Sequence, residues 1–309
     1  MAGTLEYLSA EDGFLEPDRP DAAAPEMARA VVVPFGLEAS VSYGGGTRDG
    51  PGAILAASDQ LELYDEELKF CPCDAFGIAT HVPVAPAETQ AASLDRIADV
   101  VTDISDASRF PLLIGGEHAL TAGAVRPLVG RDKPLTILQI DAHADLRDGY
   151  LGEPYSHASA MRRALDLDGI SVVSVGIRAV SQAEVAFYEV NRDRVSIHWA
   201  HEQTRWDLEA MLAPIAGQRL YISFDIDGLD SGIMPATGTP TPGGLGFWQA
   251  MEICRRATEV AAETVGADVV ELAPIPGLHA CDYTAALIAH KLIAYALVNS
   301  PDRRESATL

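Results

Sequence analysis

Apolar positions in this chain follow two alternating patterns: short, nearly continuous β-branched runs, and longer stretches in which apolar residues recur every three or four positions. Runs at 29–36, 111–114, 135–141, 170–177, 195–198, 219–227 and 268–273 read as buried strands. Stretches at 52–63, 88–106, 119–129, 156–165, 182–190, 207–216 and 247–262 read as helices, and 283–298 as a final amphipathic one. The clearest spacing is Leu94, Ile97, Ala98, Val101 and Ile104. Residues 66–81 are expected to be irregular or short-stranded. Strand and helix alternate throughout, which predicts the α/β class: a mainly parallel sheet covered on both faces, with function at the carboxyl ends of the strands. A proline-rich, acidic arm at 1–28 is expected to lie on the surface or against a neighbouring subunit, followed by a single domain at 29–300 and a frayed polar tail at 301–309.

Several of these runs end in chemistry. The run at 135–141 leads into Asp141, His143 and Asp145, metal-competent side chains at alternate positions, which in a strand would share one side. The run at 219–227 ends in Asp225 and Asp227, again two apart. The run at 111–114 is followed by Gly115, Gly116, Glu117 and His118. Four aspartates and two histidines exceed the needs of one structural zinc and suit two divalent ions sharing carboxylates.

Charge narrows the partners. With 45 acidic against 22 basic residues the formal charge is −23, which disfavours nucleic acid and anionic membrane surfaces and favours a cationic small molecule. Cys71, Cys73, Cys254 and Cys281 form no paired C-x-x-C pattern and read as reduced or buried thiols. No apolar run is read as a membrane span, and residues 1–21 lack the pattern of a signal peptide, so a cytoplasmic setting is expected.

Taken together, GGEH at 115–118, DAHADLR at 141–147, SFDIDGLD at 223–230, GTP at 238–240, PGG at 242–244 and VELAP at 270–274 closely resemble the ureohydrolase family of arginases and agmatinases. The resemblance implies a three-layer α/β/α fold and two Mn(2+) per subunit. One ion would be held by His118, Asp141, Asp145 and Asp225, the other by Asp141, His143, Asp225 and Asp227. It also implies three catalytic residues: Asp145 beside the activated water, His157 as proton shuttle, and Glu271 as partner of the substrate guanidinium. Homo-oligomers, trimers or hexamers, are a further implication.

Arginases usually carry an Asn-containing segment that grips the substrate's α-carboxylate; residues 149–157 here read GYLGEPYSH, with no Asn. That resembles the agmatinase version, so the expected reaction is agmatine to putrescine and urea, a step of polyamine biosynthesis. Arginase, guanidinobutyrase, aminopropylagmatine hydrolase and formiminoglutamase specificities are the alternatives, with a non-catalytic regulatory member behind them. Asp148 and Asp230 read as turn caps. His81, His198, His201, His279 and His290 read as surface or packing residues, and Tyr188, Trp199, Trp206 and Trp248 as core. The triple glycine at 44–46 reads as a rim loop whose role stays open.

Overall fold

The computed structural model describes residues 5–130 and 134–301. Among them, eight strands form one wholly parallel sheet in the order β2-β1-β3-β8-β7-β4-β5-β6. They are β1 (Ala30–Phe35), β2 (Ile78–Thr80), β3 (Phe110–Gly115), β4 (Leu135–Ile140), β5 (Ile170–Ile177), β6 (Val195–Trp199), β7 (Arg219–Asp225) and β8 (Glu263–Val270). The helices are α1 (Gly50–Ser58), α2 (Pro72–Phe76), α3 (Gln90–Asp106), α4 (Leu120–Val125), α5 (Ala160–Leu165), α6 (Gln182–Val190), α7 (Leu208–Leu212), α8 (Phe247–Val260) and α9 (His279–Val298).

Strand pleating sorts side chains into two cores, one on each face of the sheet. On β1, Ala30 and Val32 join the core formed with α1, α8 and α9, while Val31, Val33 and Phe35 join the one formed with α3, α4 and α5. Both faces are dry, so the strands carry continuous apolar runs and the architecture is three-layer α/β/α.

Several element boundaries differ from the expected ones, each for a local reason. Pro214 follows the end of α7 at Leu212, and Pro127 turns the end of α4 into a 3-10 turn, Arg126–Leu128. The last strand begins at Glu263 instead of 268, because Glu263 and Thr264 pair with Arg219 and Leu220 of β7. It ends at Val270, because Glu271 takes a left-handed φ of 67°. Residues 66–81 include the short helix α2 besides the edge strand β2.

The final helix is not amphipathic: residues around its whole circumference, from Ala285 to Leu297, are buried, because α9 packs against α1, α8 and β8 together. It is long and apolar enough to span a membrane by length and composition, which reading the sequence for apolar runs did not bring out, yet 72% of that window is buried in the fold. Trp248, expected in the core, is 57% exposed.

The arm packs on its own chain. Leu8 N–H donates to the Thr80 carbonyl at 2.8 Å, and Phe14 and Leu15 are fully buried. The Arg19 guanidinium donates to the carbonyls of Phe14 and Ile78, both at 2.7 Å. These contacts cover the open edge of β2. Of the expected tail only Pro301 is among the described residues.

One buried ion pair anchors α9. Lys291 Nζ lies 3.1 Å from Asp65 Oδ2, with both side chains 1% exposed, and Asp65 Oδ1 accepts the N–H groups of Glu67 and Leu68. Lys291→Met leaves that carboxylate buried without its cation. The expected loss of stability is about 3–5 kcal/mol, read as a lower midpoint in urea unfolding.

Candidate metal centre

The motif strands β3, β4 and β7 do not lie side by side in sequence order; β8 is inserted between β3 and β7, and the carboxyl ends of all four converge. His118 follows β3, Asp141 follows β4, Asp225 closes β7 and Glu271 follows β8. This is the crevice position expected for an open parallel sheet.

The cluster divides into two overlapping groups, His118 with Asp141 and Asp145, and Asp141 with His143 and Asp227. His118 Nδ1 lies 3.1 Å from Asp141 Oδ2, 2.9 Å from Asp145 Oδ2 and 3.3 Å from Asp225 Oδ2. His143 Nδ1 lies 3.0 Å from Asp227 Oδ2 and 3.6 Å from Asp141 Oδ1. Asp141 belongs to both groups, while Asp225 lies in neither and approaches His118.

The alternation of ligand types does not come from strand pleating, because β4 ends at Ile140 and Asp227 sits in a 3-10 turn, Ile226–Gly228. Past the sheet, the carboxylates take up the backbone N–H groups that a neighbouring strand would otherwise accept. Asp141 Oδ1 accepts from His143 N at 2.6 Å, Asp227 Oδ1 from Ala142 N at 3.0 Å and Asp225 Oδ1 from Asp227 N at 2.8 Å. Asp145 adopts a left-handed φ of 52° and Glu271 one of 67°, conformations that cost side-chain-bearing residues energy and cluster at functional sites.

A buried polar network orients the candidate ligands. Ser223 Oγ donates to Asp268 Oδ1 at 2.9 Å, so the contact of 2.8 Å between Ser223 Oγ and His118 Nε2 is donated by the imidazole. That leaves the buried Nδ1 facing the cluster; burial opposes charge on this imidazole, but Asp141, Asp145 and Asp225 prevail and hold its pKa well above the usual range. Thr121 and Tyr221 also donate to Asp268, and Gln139 Nε2 donates to Asp141 Oδ2 at 2.7 Å. Of these supporting residues only Ser223, which opens the SFDIDGLD motif, lay in a motif of the sequence. Gln139 and Ser223 did carry one signal: each lies two residues before an aspartate at the end of its strand. Asp268→Asn is expected to weaken metal affinity about 10–100-fold, measured by competition with a chelator.

Electrostatics show what the site lacks. Burial, then the neighbouring Asp227 and Asp141, push the Asp225 carboxyl well above its usual range, and burial together with Asp141 raises Asp145 to about 7. Burial opposes charge on His143, but hydrogen bonds to Asp141 and Asp227 prevail and raise it to about 12. Four carboxylates crowded out of water need cationic charge. The orphaned His118 Nδ1 and the largely oxygen donor set fit divalent ions.

Around the cluster lies a cleft of about 270 Å³, lined among others by Tyr43, Arg147, Tyr150, His157, Thr239 and Glu271. Glu271 Oε1 accepts the His118 N–H at 2.7 Å, and burial raises its pKa to about 8. His157 opens a 3-10 turn, His157–Ser159, and contacts the rim loop; burial lowers it to about 4. Gly44 lines the cleft, and its N–H donates to the Gly238 carbonyl at 3.1 Å, which gives the rim glycines a place. Asp230 caps a turn through the N–H groups of Gly232, Gly243 and Gly244, and Asp148 is an exposed partner of Arg163. Arg178, which the motifs passed over, ties the Asp227 and Leu229 carbonyls to that of Thr241.

The model of the arginase family matches residues 28–298. A Synechocystis sp. protein named N(1)-aminopropylagmatine ureohydrolase is 38% identical over 304 residues, covering 96% of this chain and 97% of its own length. An agmatinase of Bacillus subtilis is 34% identical over 261 residues, covering 82% of this chain and 87% of its own. Among solved structures, the agmatine ureohydrolase of Thermoplasma volcanium superposes with a TM-score of 0.80 at 28% identity, over 99% of this chain and 98% of that one. A match that runs from the edge of the first core strand through the last helix makes this chain a member of the arginase family, an agmatinase-like ureohydrolase.

Proposed function

We propose that this chain hydrolyses a linear guanidine whose tail is cationic, N1-aminopropylagmatine first and agmatine second, releasing urea and an amine. The observation that carries the choice of tail is the similarity to the Synechocystis aminopropylagmatine ureohydrolase over almost the whole of both chains. The acidic balance of the chain supports it. Among the described cleft residues the only guanidinium is Arg147, which lies 5.3 Å from the Tyr150 ring and 3.7 Å from Glu184.

In this reading two Mn(2+) are held by His118, Asp141, His143, Asp145, Asp225 and Asp227. When bound, they supply Lewis acidity and bring the pKa of water near neutrality. Glu271 binds and orients the guanidinium, its carboxylate anchored from behind by the His118 N–H. The Asp145 carboxylate accepts the proton of the attacking water and passes it toward the departing nitrogen. His157 moves protons between the cleft and bulk solvent. We further propose that the enzyme acts in the cytoplasm as a homo-oligomer.

Urea release by the manganese-loaded protein, with aminopropylagmatine, agmatine, guanidinobutyrate, arginine and formiminoglutamate in parallel and formamide assayed for the last, tests the reading. We expect kcat/KM to be highest for aminopropylagmatine and lower for arginine by about 100-fold or more. A preference for arginine or guanidinobutyrate would assign Arg147 and residues 148–156 to carboxylate binding and reject the cationic tail.

A further inference from the structure

We propose that Ser40 and Glu117 are positioning residues for His157: through the Ser40 hydroxyl, the buried Glu117 carboxylate fixes the imidazole proton on Nδ1 and leaves Nε2 as the basic atom. This rests on the relay role given to His157 above.

The assignment follows from counting donors. Ser40 Oγ lies 3.0 Å from Glu117 Oε1 and 2.9 Å from His157 Nδ1, and Ser42 Oγ lies 2.7 Å from His157 Nε2. The Ser40 hydroxyl has one proton, two candidate acceptors and two lone pairs; Gln90 Nε2, 3.3 Å from Ser40 Oγ, gives its shorter bond to Glu117 Oε1 and leaves both lone pairs to His157. Glu117 Oε2 accepts the N–H groups of Ala39 and Ser40, each at 2.8 Å, and Oε1 accepts the Gln90 amide. Burial raises the Glu117 pKa, and the bonds from Ala39, Ser40 and Gln90 oppose that rise; with both oxygens accepting, the geometry is that of a carboxylate, which attracts a hydroxyl proton more strongly than a neutral imidazole nitrogen does.

Ser40 therefore donates to Glu117, and the His157 Nδ1–H donates to Ser40. The His157 backbone N–H also donates to Ser40 Oγ, at 3.0 Å, holding the residue by two bonds to one oxygen. Nε2 is left with a lone pair, which accepts the Ser42 hydroxyl. Reversing the network would leave Glu117 one hydrogen bond short and remove the charge-assisted link.

Glu117 is held in place by the same turn that delivers the ligand His118. Its N–H donates to the Leu37 carbonyl at 2.7 Å, and at Gly116 a Cβ would lie 1.9 Å from that carbonyl oxygen, so only glycine permits the approach. The relay and the metal centre share this backbone. A proton taken up at Nε2 turns the Ser42 hydroxyl hydrogen out to water; the Nε2–H then donates to Ser42 Oγ, which gains that proton as it passes its own to water, so one proton enters and one departs.

The test compares kcat, KM and bound manganese for wild type, Ser40→Ala, Ser40→Thr, Glu117→Gln and His157→Gln, each with and without added imidazole. In Glu117→Gln the side-chain oxygen stays on the backbone N–H groups and the amide donates to Ser40, which turns the Ser40 hydroxyl to donate to Nδ1 and places the imidazole proton on Nε2. Ser40→Ala and Glu117→Gln should lower kcat about tenfold or more at unchanged KM and metal content, with imidazole restoring turnover as it does for His157→Gln. Ser40→Thr, which keeps the hydroxyl, should stay near wild type. A low, rescuable His157→Gln beside normal Ser40→Ala and Glu117→Gln overturns the positioning alone. Full turnover by His157→Gln overturns the relay and the positioning with it. Loss of kcat that imidazole does not rescue, or that follows loss of metal, makes Ser40 and Glu117 merely structural and also overturns it.

Discussion

Asp141→Asn should lower urea release at least about a thousandfold and reduce bound manganese below two ions per chain. Asp141 is the carboxylate common to both ligand groups, 3.1 Å from His118 Nδ1 on one side and 3.6 Å from His143 Nδ1 on the other. Asparagine keeps the size of the side chain and one oxygen for a backbone N–H or for Gln139, but it is neutral and its nitrogen does not coordinate. The surrounding charge balance shifts at the same time: Asp225 and Asp145 lose a like-charged neighbour that raises both their pKa values. Fold should survive, since the variant removes a buried charge without opening a cavity. Metal analysis together with the urea assay decides the matter, with Asp148→Ala as a control that retains most activity, because Asp148 is exposed and pairs with Arg162 and Arg163. Wild-type metal content and turnover in Asp141→Asn would remove the two-ion model.

Glu271→Gln should separate substrate binding from metal binding. The variant keeps an oxygen to accept the His118 N–H, so the ligand stays in place and manganese content is unchanged. What disappears is the negative charge proposed to face the guanidinium. A desolvated charge pair of this kind is worth about 3 kcal/mol, so kcat/KM should fall roughly 150-fold. Thermal stability should not fall, because burial already raises the Glu271 pKa to about 8 and a neutral amide avoids that penalty. Steady-state kinetics beside a thermal melt check both halves. An unaltered kcat/KM would show that the guanidinium is held elsewhere in the cleft.

The chain's own order of residues determined the fold class and the list of candidate ligands, for a physical reason. A parallel sheet dry on both faces demands continuous apolar strands, and those strands stand out against helices whose apolar positions recur every three or four residues. Metal chemistry demands rare side chains crowded at strand ends, so Asp141, His143, Asp145, Asp225, Asp227 and His118 were visible as types and spacings. Their arrangement was not. Strand order is set by long-range pairing that leaves no periodic trace, and only the placement of β8 between β3 and β7 puts Glu271 beside His118. The supporting shell was largely hidden: Asp268 and Thr121 are ordinary residues until three strand ends meet and leave their polar atoms, with that of Ser223, nowhere to bond but to one another. The same holds at the rim, where Glu117 stood beside a ligand in the motif but bonds away from the cluster, to Ser40 across 77 residues. Spacing along a chain records which face a residue occupies; which faces meet is decided by packing and by the bonding demands of buried polar groups.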